Sequence, residues 1–597
     1  MAVPLEDYAL IGDCESAALV SRAGSIDWLC WPRFDSDACF AALLGDASNG
    51  RWLLTSRDPA ARISRRYVDE TLVLETRFDT SSGTARVLDF MPPRGNTSDV
   101  VRIVIGERGE VDMHTELVLR FGYGASVPWV TKLAPGVWRA IAGPDMTILR
   151  TCAPMRGQDL KSVANFSVKG GEQVSFMLTY ARSHLEPPPP IDPDKALKDT
   201  EDFWREWLGK GRPAGRWSAA VKRSLITLRA LFYAPTGGIV AAPTTSLPEC
   251  IGGVRNWDYR YCWLRDATLA LLALMNAGYY EEATRWRDWL VRAVAGSPRQ
   301  LQIMYGLAGE RRLTELELTW LAGYEDSRPV RIGNDAHAQL QLDMFGELMD
   351  ALHQAREGGL RTTKTAWAVQ IEVLAHLAEV WEQPDSGIWE MRGPARHFTH
   401  SKIMAWVAFD RAIKDATRFG LRGPVDQWRA VRARIHQQVC ERGYDARRNT
   451  FVQSYGSDRL DASLLLIPPL GFLPPQDPRI DGTIRAVEKE LLHDGFVLRY
   501  DTQIAEDGLP PGEGAFLACS FWLTDAYAMC GRRADAEALF ERLLGVGNDV
   551  GLLAEQYDVR LGRMVGNFPQ GFSHLALVNT AFNLFEASKP SAQRSER

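Results

Sequence analysis

The sequence predicts a multidomain β + α protein, an N-terminal antiparallel β-sandwich followed by an (α/α)6 barrel. Three observations carry that prediction. Apolar residues alternate with period two in the first part of the chain, a proline run interrupts it at Pro187–Pro190, and from Arg216 the apolar period changes to 3.6. At ~100–200 residues per domain, a chain of 597 residues has room for this division.

In residues 1–185, Ala164, Phe166 and Val168 alternate with polar neighbours, and Val174, Phe176, Leu178 and Tyr180 do so again after Gly170-Gly171. Two such runs across a Gly-Gly turn predict a hairpin. Further strands are expected at Thr71–Phe78, Val100–Gly106, Thr115–Phe121 and Val137–Ile141, and many short strands separated by turn residues suggest a sandwich. The linker, residues 186–215, joins a stiff proline spacer to an Asp/Lys/Trp stretch that reads as one helix.

Over residues 216–590 the pattern is helical. Trp428, Val431, Ile435 and Val439 share one helical face, as do Leu575, Val578, Phe582 and Phe585. Helices are expected near 216–235, 257–278, 280–295, 337–358, 363–382, 398–419, 424–442, 459–468, 479–493, 514–530, 533–546 and 572–587, several ended by glycine, as at Gly278, Gly420 and Gly443. Twelve helices, many paired by short turns, fit a toroid of six hairpins; a solenoid would show a fixed sequence repeat, and none is found. Between them lie long loops at 236–256, 297–336, 383–397, 494–513 and 547–571. Loops of that length in a compact domain are usually functional, and alternate connections of a helical barrel emerge at one end.

Composition narrows the function. Lys plus Arg number 69 and Asp plus Glu 75, a net charge of −6 without long runs, which argues against nucleic acid or an anionic membrane as partner. No apolar stretch long enough to span a membrane is seen, and Glu6, Asp7, Asp13 and Glu15 stand where a signal peptide would be apolar. Nine scattered cysteines without a CxxC pair fit reduced thiols in a cytoplasm. The expectation is a cytoplasmic protein, as a monomer or a homo-oligomer, with a small-molecule partner; its nineteen Trp and sixteen Tyr could serve as sugar platforms as well as core.

Phosphate-loop, HExxH, GxSxG and dinucleotide-binding patterns are missing, and His397 and His400 lack a matching third metal ligand. Carboxylate chemistry remains, and four segments combine carboxylates or polar ends with aromatics. RNWDYRYCWLRDATLAL holds Trp257, Asp258, Arg260, Trp263, Arg265 and Asp266; Asp and Arg can hydrogen-bond sugar hydroxyls while indoles cover the ring. GYEDSRPVRIGNDAH brings Tyr324, Arg328, Arg331, Asn334 and Asp335, of which the last two also suit a helix cap. SGIWEMRGPARHF sets Glu390 beside Trp389, where desolvation would favour a protonated carboxyl, although the pair also fits an exposed loop glutamate. GLLAEQYDVRLG presents Glu555, Tyr557 and Asp558. Glu513, in PPGEG at an expected helix start, is a rival carboxylate or a plain cap.

In that order, on twelve helices behind a β-sandwich, these segments resemble glycoside hydrolase family 15, the family of glucoamylases, glucodextranases and glucoamylase-type trehalases. The opening YALIGDCESAALVSRAGSIDWLCWPRFDSDACFAALLGD is similar to the N-terminal domain of those trehalases, and the resemblance spans nearly the whole chain. It implies Glu390, in Ile388-Trp389-Glu390, as general acid and Glu555, in Glu555-Gln556-Tyr557-Asp558, as general base. It further implies that Trp263, Arg265 and Asp266 hold the non-reducing glucose, and that Arg328 and Arg331 line the same pocket. Trp257, Tyr324, Trp389, Glu513 and Tyr557 complete the expected sugar-binding set. Met391 stands where fungal members carry a second Glu. The implied chemistry is inversion, releasing β-glucose with the two carboxyls ~6.5–9.5 Å apart, and it requires no metal or cofactor. Since the last expected helix closes near Ala587, no appended starch-binding module is expected. Trehalose is therefore favoured over maltose, isomaltose or short maltodextrins. A phosphorylase or an inactive sugar-binding protein would lack the need for Glu555.

Overall fold

The apolar alternation of the first part of the chain is built into two antiparallel sheets in the computed structural model, which describes residues 3–361, 363–503 and 507–585. One strand, Ser98–Val118, belongs to both sheets. Its second half, from Glu110, pairs with Arg51–Ser56 and with Lys161–Lys169, and beyond Arg51–Ser56 lie Ser25–Cys30, Ala17–Ser21 and Tyr8–Gly12. Its first half pairs with Gly83–Phe90 and with Gln173–Arg182, which continues through Asp145–Thr151 and Val137–Ala142 to the edge strand Trp129–Ala134. Residues 107–110, where the strand crosses between sheets, are exposed. Between the sheets Trp52 meets Phe176 edge-on at 6.3 Å. The buried Arg102 pairs with Asp89 and donates to the carbonyls of Trp52 and Gly24.

Two sequence expectations are corrected here. Val100–Gly106 and Thr115–Phe121 are not separate strands, because most of their residues are halves of this single 21-residue one. The runs on either side of Gly170-Gly171 do not form a hairpin with each other: Lys161–Lys169 joins one half of the long strand and Gln173–Arg182 the other. The turn steps from sheet to sheet because one long strand offers each run its own pairing edge, and period-two alternation is blind to which partner a strand takes.

The helices are α1 (Pro193–Leu208), α2 (Ser218–Ala230), α3 (Ala267–Asn276), α4 (Tyr280–Val294) and α5 (Asp343–Glu357). They continue with α6 (Lys364–Val380), α7 (Thr399–Phe419), α8 (Val425–Arg442) and α9 (Ile467–Leu470). The last four are α10 (Pro478–Glu490), α11 (Leu517–Met529), α12 (Arg533–Leu544) and α13 (Gly571–Phe585). Six elements contact one another in succession: α3, α5, α7, the 462–470 segment ending in α9, α11 and α13; α13 returns to α3. Around them α2 packs on α13, α4 on α3, α8 on α7 and α12 on α11. Burial separates the layers. All of α5 but its last residue is buried, whereas α8 buries only Trp428, Ile435 and Val439, the single stripe of a helix with one face in water.

The helix expected from 257 begins at Ala267; residues before it form the short strands Asn256–Asp258 and Cys262–Trp263. Asp258 there accepts from the Arg260 guanidinium and from Gly333 N, bonds that fix an extended chain. The helix expected at 459–468 is a 3-10 turn, Ala462–Leu466, running into α9, where Pro468 and Pro469 deny the backbone two donors. Positions 586 and 587 of the last expected helix, and the end of the 216–590 span, lie outside the described residues. All nine cysteines are free thiols, and no described helix is long and apolar enough to cross a membrane.

Candidate active site

Loops between these helices meet at a cavity whose walls include Glu249, Arg255, Trp257, Tyr259, Arg265, Asn334, Trp389, Glu390, Met391, Arg392 and Arg499. Glu390 stands in the connection between α6 and α7 with φ +58°, a left-handed conformation that costs a non-glycine residue about 1–3 kcal/mol and persists only where its surroundings enforce it. Here they do. Glu390 N donates to Gly387 O (3.1 Å) and Met391 N to Ser386 O (3.2 Å). Gln339 Nε2 reaches the carbonyls of both Glu390 and Met391 at 3.3 Å.

The Glu390 carboxyl accepts from Trp263 Nε1 at 2.7 Å and from Arg265 Nη1 at 3.2 Å. Arg265 also pairs with Asp266 at 3.1 Å, so a guanidinium bridges two carboxyls. Asp266 precedes α3 but makes no side-chain cap bond. Burial pushes its carboxyl up and Arg265 holds it down. The indole that hydrogen-bonds Glu390 is thus Trp263, not its neighbour Trp389, whose N–H goes to Asp461.

Glu555 leads into the strand Gln556–Asp558, which lies between Ala515–Phe516 and Arg563–Val565. It is fully buried. Its Oε2 accepts from Asn567 N at 3.0 Å, the Tyr259 hydroxyl stands close enough to steady the anion, and Oε1 makes no well-formed hydrogen bond among the described residues. Burial pushes this carboxyl well above the usual range, against the pull of the Asn567 amide and the Arg499 guanidinium. A buried acceptor without a donor is costly, about 1–3 kcal/mol, and each such group calls for an explanation.

Arg499 organises the wall beside it. Its Nε donates to Glu513 Oε1 at 3.0 Å, its Nη2 donates to Glu513 Oε2, and the same Nη2 donates to Glu249 Oε2 at 2.8 Å. Glu513 therefore has both oxygens on one guanidinium, with Arg255 3.7 Å away. Arg255 in turn pairs with Asp507 at 2.6 Å. Burial, together with the charges of Glu555 and Glu513, pushes the Glu249 carboxyl up, and Arg499 opposes them.

The remaining expected residues divide. Trp257 lies under two guanidinium groups, Arg331 at 4.6 Å and Arg392 at 4.7 Å from its ring. Arg331 also donates to the carbonyls of Val254 and Asn256, so it braces the segment that carries Trp257. Of the expected residues, Trp257, Arg265, Trp389 and Glu390 line the cavity; Trp263, Asp266, Arg331, Glu513 and Glu555 stand behind its wall, and Tyr324, Arg328 and Tyr557 are not among the lining residues either. Tyr324 donates to Val3 O, Arg328 is exposed and bonds Ala322 O, and Tyr557 packs on Phe496 at 5.2 Å. Asn334 lines the cavity and also caps its own short helix by accepting from Ala336 N. Sequence reasoning did not single out Glu249, Arg255 or Arg499. Their only signal was a position inside the long loops 236–256 and 494–513.

The β-sandwich reaches the same loops. Trp28 Nε1 donates to Pro243 O at 2.8 Å, Arg260 Nη1 to Ser36 O at 2.9 Å, and Met564 N to the Glu6 carboxyl.

Residues 215–582 match the family model for glycosyl hydrolases family 15, and residues 1–135 match that of the trehalase-like N-terminal region. A trehalase of Mycobacterium tuberculosis is 38% identical over an alignment covering 98% of this chain and 90% of its own. One of Mycolicibacterium smegmatis is 39% identical, covering 98% and 92%. Among solved structures, a bacterial glucoamylase complexed with acarbose superposes with a TM-score of 0.75 at 12% identity, covering 98% of this chain and 94% of that one, a likeness of fold.

Proposed function

Since the chain belongs to glycosyl hydrolases family 15 and is a glycosidase, we propose that it hydrolyses α,α-trehalose to two glucoses with inversion at the cleaved carbon. The observation that carries the mechanism is the contrast between two carboxyls. Glu390 is hydrogen-bonded at the cavity wall, and Glu555 is wholly buried with one oxygen lacking a well-formed hydrogen bond among the described residues. The names of the two mycobacterial relatives support trehalose as the substrate.

In this reading protonated Glu390 gives its proton to the glycosidic oxygen as the C1–O bond lengthens. The carboxylate it leaves is met at once by the Trp263 N–H and the Arg265 guanidinium, donors already in place. Anionic Glu555 takes a proton from a water through its Oε1, and that water attacks C1 from the opposite ring face. The glucose cleaved at C1 leaves as the β-anomer, and the departing glucose keeps its α-configuration. Asp266, free of capping duty and fixed by Arg265, receives hydroxyls of the bound glucose. No step draws on a metal or a cofactor.

The closed succession of six inner elements with a second helical layer is read as the (α/α)6 barrel, with units at 1–185, 186–215 and 216–590, in a cytoplasmic enzyme. The test is glucose release from trehalose, maltose and isomaltose in separate reactions without phosphate. Turnover of trehalose with the others nearly untouched supports the proposal. Preference for maltose or isomaltose moves the enzyme to the glucoamylase side, and strict dependence on phosphate would make it a phosphorylase.

A further inference from the structure

The left-handed turn at Glu390 needs an anchor, and its strongest one is remote in sequence. Trp389, directly before the acid, is buried and held on several sides. Its ring meets Phe516 edge-on at 5.5 Å and Trp522 at 5.8 Å, and the Arg499 guanidinium carbon lies 5.4 Å from its centre. Its Nε1 lies 3.0 Å from both carboxylate oxygens of Asp461.

Asp461 is itself buried, and it is not among the residues that line the cavity. It precedes the 462–470 segment of the inner ring and caps it by accepting from Ser463 N at 2.8 Å. Capping requires that one bond. The carboxylate gathers more, from Ser463 Oγ at 2.6 Å, Gln453 Nε2 at 3.1 Å and the Trp389 indole. A buried anion surrounded by four donors is rigid, and a charge-assisted bond is roughly twice as strong as a neutral one.

We propose that Asp461 is a positioning residue of the reaction: by locking the Trp389 indole it fixes the strained turn that aims Glu390 at the glycosidic oxygen. This rests on the reading of Glu390 as the acid. Asp461 touches neither the cavity nor Glu390, so its loss acts through the Trp389 indole and the Glu390 turn. Misplacing a catalytic group by an ångström costs on the order of 10²-fold.

The experiment compares two substrates of unequal demand. Trehalose needs a proton on its leaving oxygen, whereas fluoride departs from α-glucosyl fluoride unprotonated, so that substrate needs only the base and the water. Asp461→Asn should lower kcat on trehalose by on the order of 10²-fold, leave KM nearly unchanged, and leave α-glucosyl fluoride hydrolysis near the parent rate. Ser463→Ala, which removes the 2.6 Å hydroxyl donor to Asp461 at a residue outside the cavity wall, should give a smaller split in the same direction, and it carries the test if Asp461→Asn does not fold. Equal losses on both substrates, or no loss on trehalose, would overturn the proposal. Glu390→Gln run alongside separates the two readings. If it loses trehalose and keeps the fluoride, the acid stands whatever Asp461 does; if it keeps trehalose, both readings fall.

Discussion

At the scale of single residues, side-chain partners decide which carboxyl does which task. Glu390→Gln and Glu555→Gln should each lower trehalose turnover by about 10²–10⁴-fold, the usual worth of one proton transfer, with circular dichroism unchanged. Near-normal activity in Glu555→Gln would remove it as the base. The pH dependence follows from burial. A base works only when deprotonated, and burial pushes Glu555 well above the ordinary range. The acidic limb of kcat/KM should therefore inflect well above the ~4.3 of a free glutamate; a limb at or below that value would show that the working base is not this buried carboxyl. Glu513 marks the limit of what the sequence tells at this scale. Its place at a helix start allowed capping or catalysis, and only the fold brings Arg499 onto both its oxygens. Glu249 was silent for the same reason, since its partner Arg499 lies 250 residues away.

At the scale of elements, the base-bearing strand depends on a glycine. Gly566 has φ +76°, and a Cβ there would stand 2.6 Å from Glu555 Oε2. Gly566→Ala should therefore cost activity out of proportion to stability, by displacing the carboxylate. Thermal melts paired with kcat would read this, and a variant with parent kcat would mean that the base tolerates the shift. The elements themselves were unevenly legible. Helical periodicity located α8 and its buried stripe of Trp428, Ile435 and Val439, because a single wet face imposes that pattern. It misplaced the start of α3 by ten residues, since the aromatic and charged segment before Ala267 is held extended by the Asp258–Arg260 pair and the Gly333 amide. The sandwich strands were visible as alternation, but not their pairing, because Ser98–Val118 serves two sheets at once.

At the scale of the whole molecule, the β-sandwich is more than an appendage. Its Trp28 is fully buried with its N–H on Pro243 O, and Glu6 takes the Met564 amide beside the base-bearing strands. Trp28→Ala should destabilise the protein by about 3–5 kcal/mol, as expected for a fully buried large ring, and activity should be lost in the same thermal transition that melts the helices. Two separate calorimetric transitions, with activity following only the helical one, would show that the sandwich is dispensable to the site. None of these contacts was legible in the sequence: residues hundreds of positions apart meet only once both layers have folded.

Inverting hydrolysis of trehalose by Glu390 and Glu555 is read out by proton NMR of the anomeric signals during the first minutes of trehalose cleavage. Inversion yields α- and β-glucose in equal initial amounts, before mutarotation mixes them. α-Glucose alone, or no glucose at all, would contradict it.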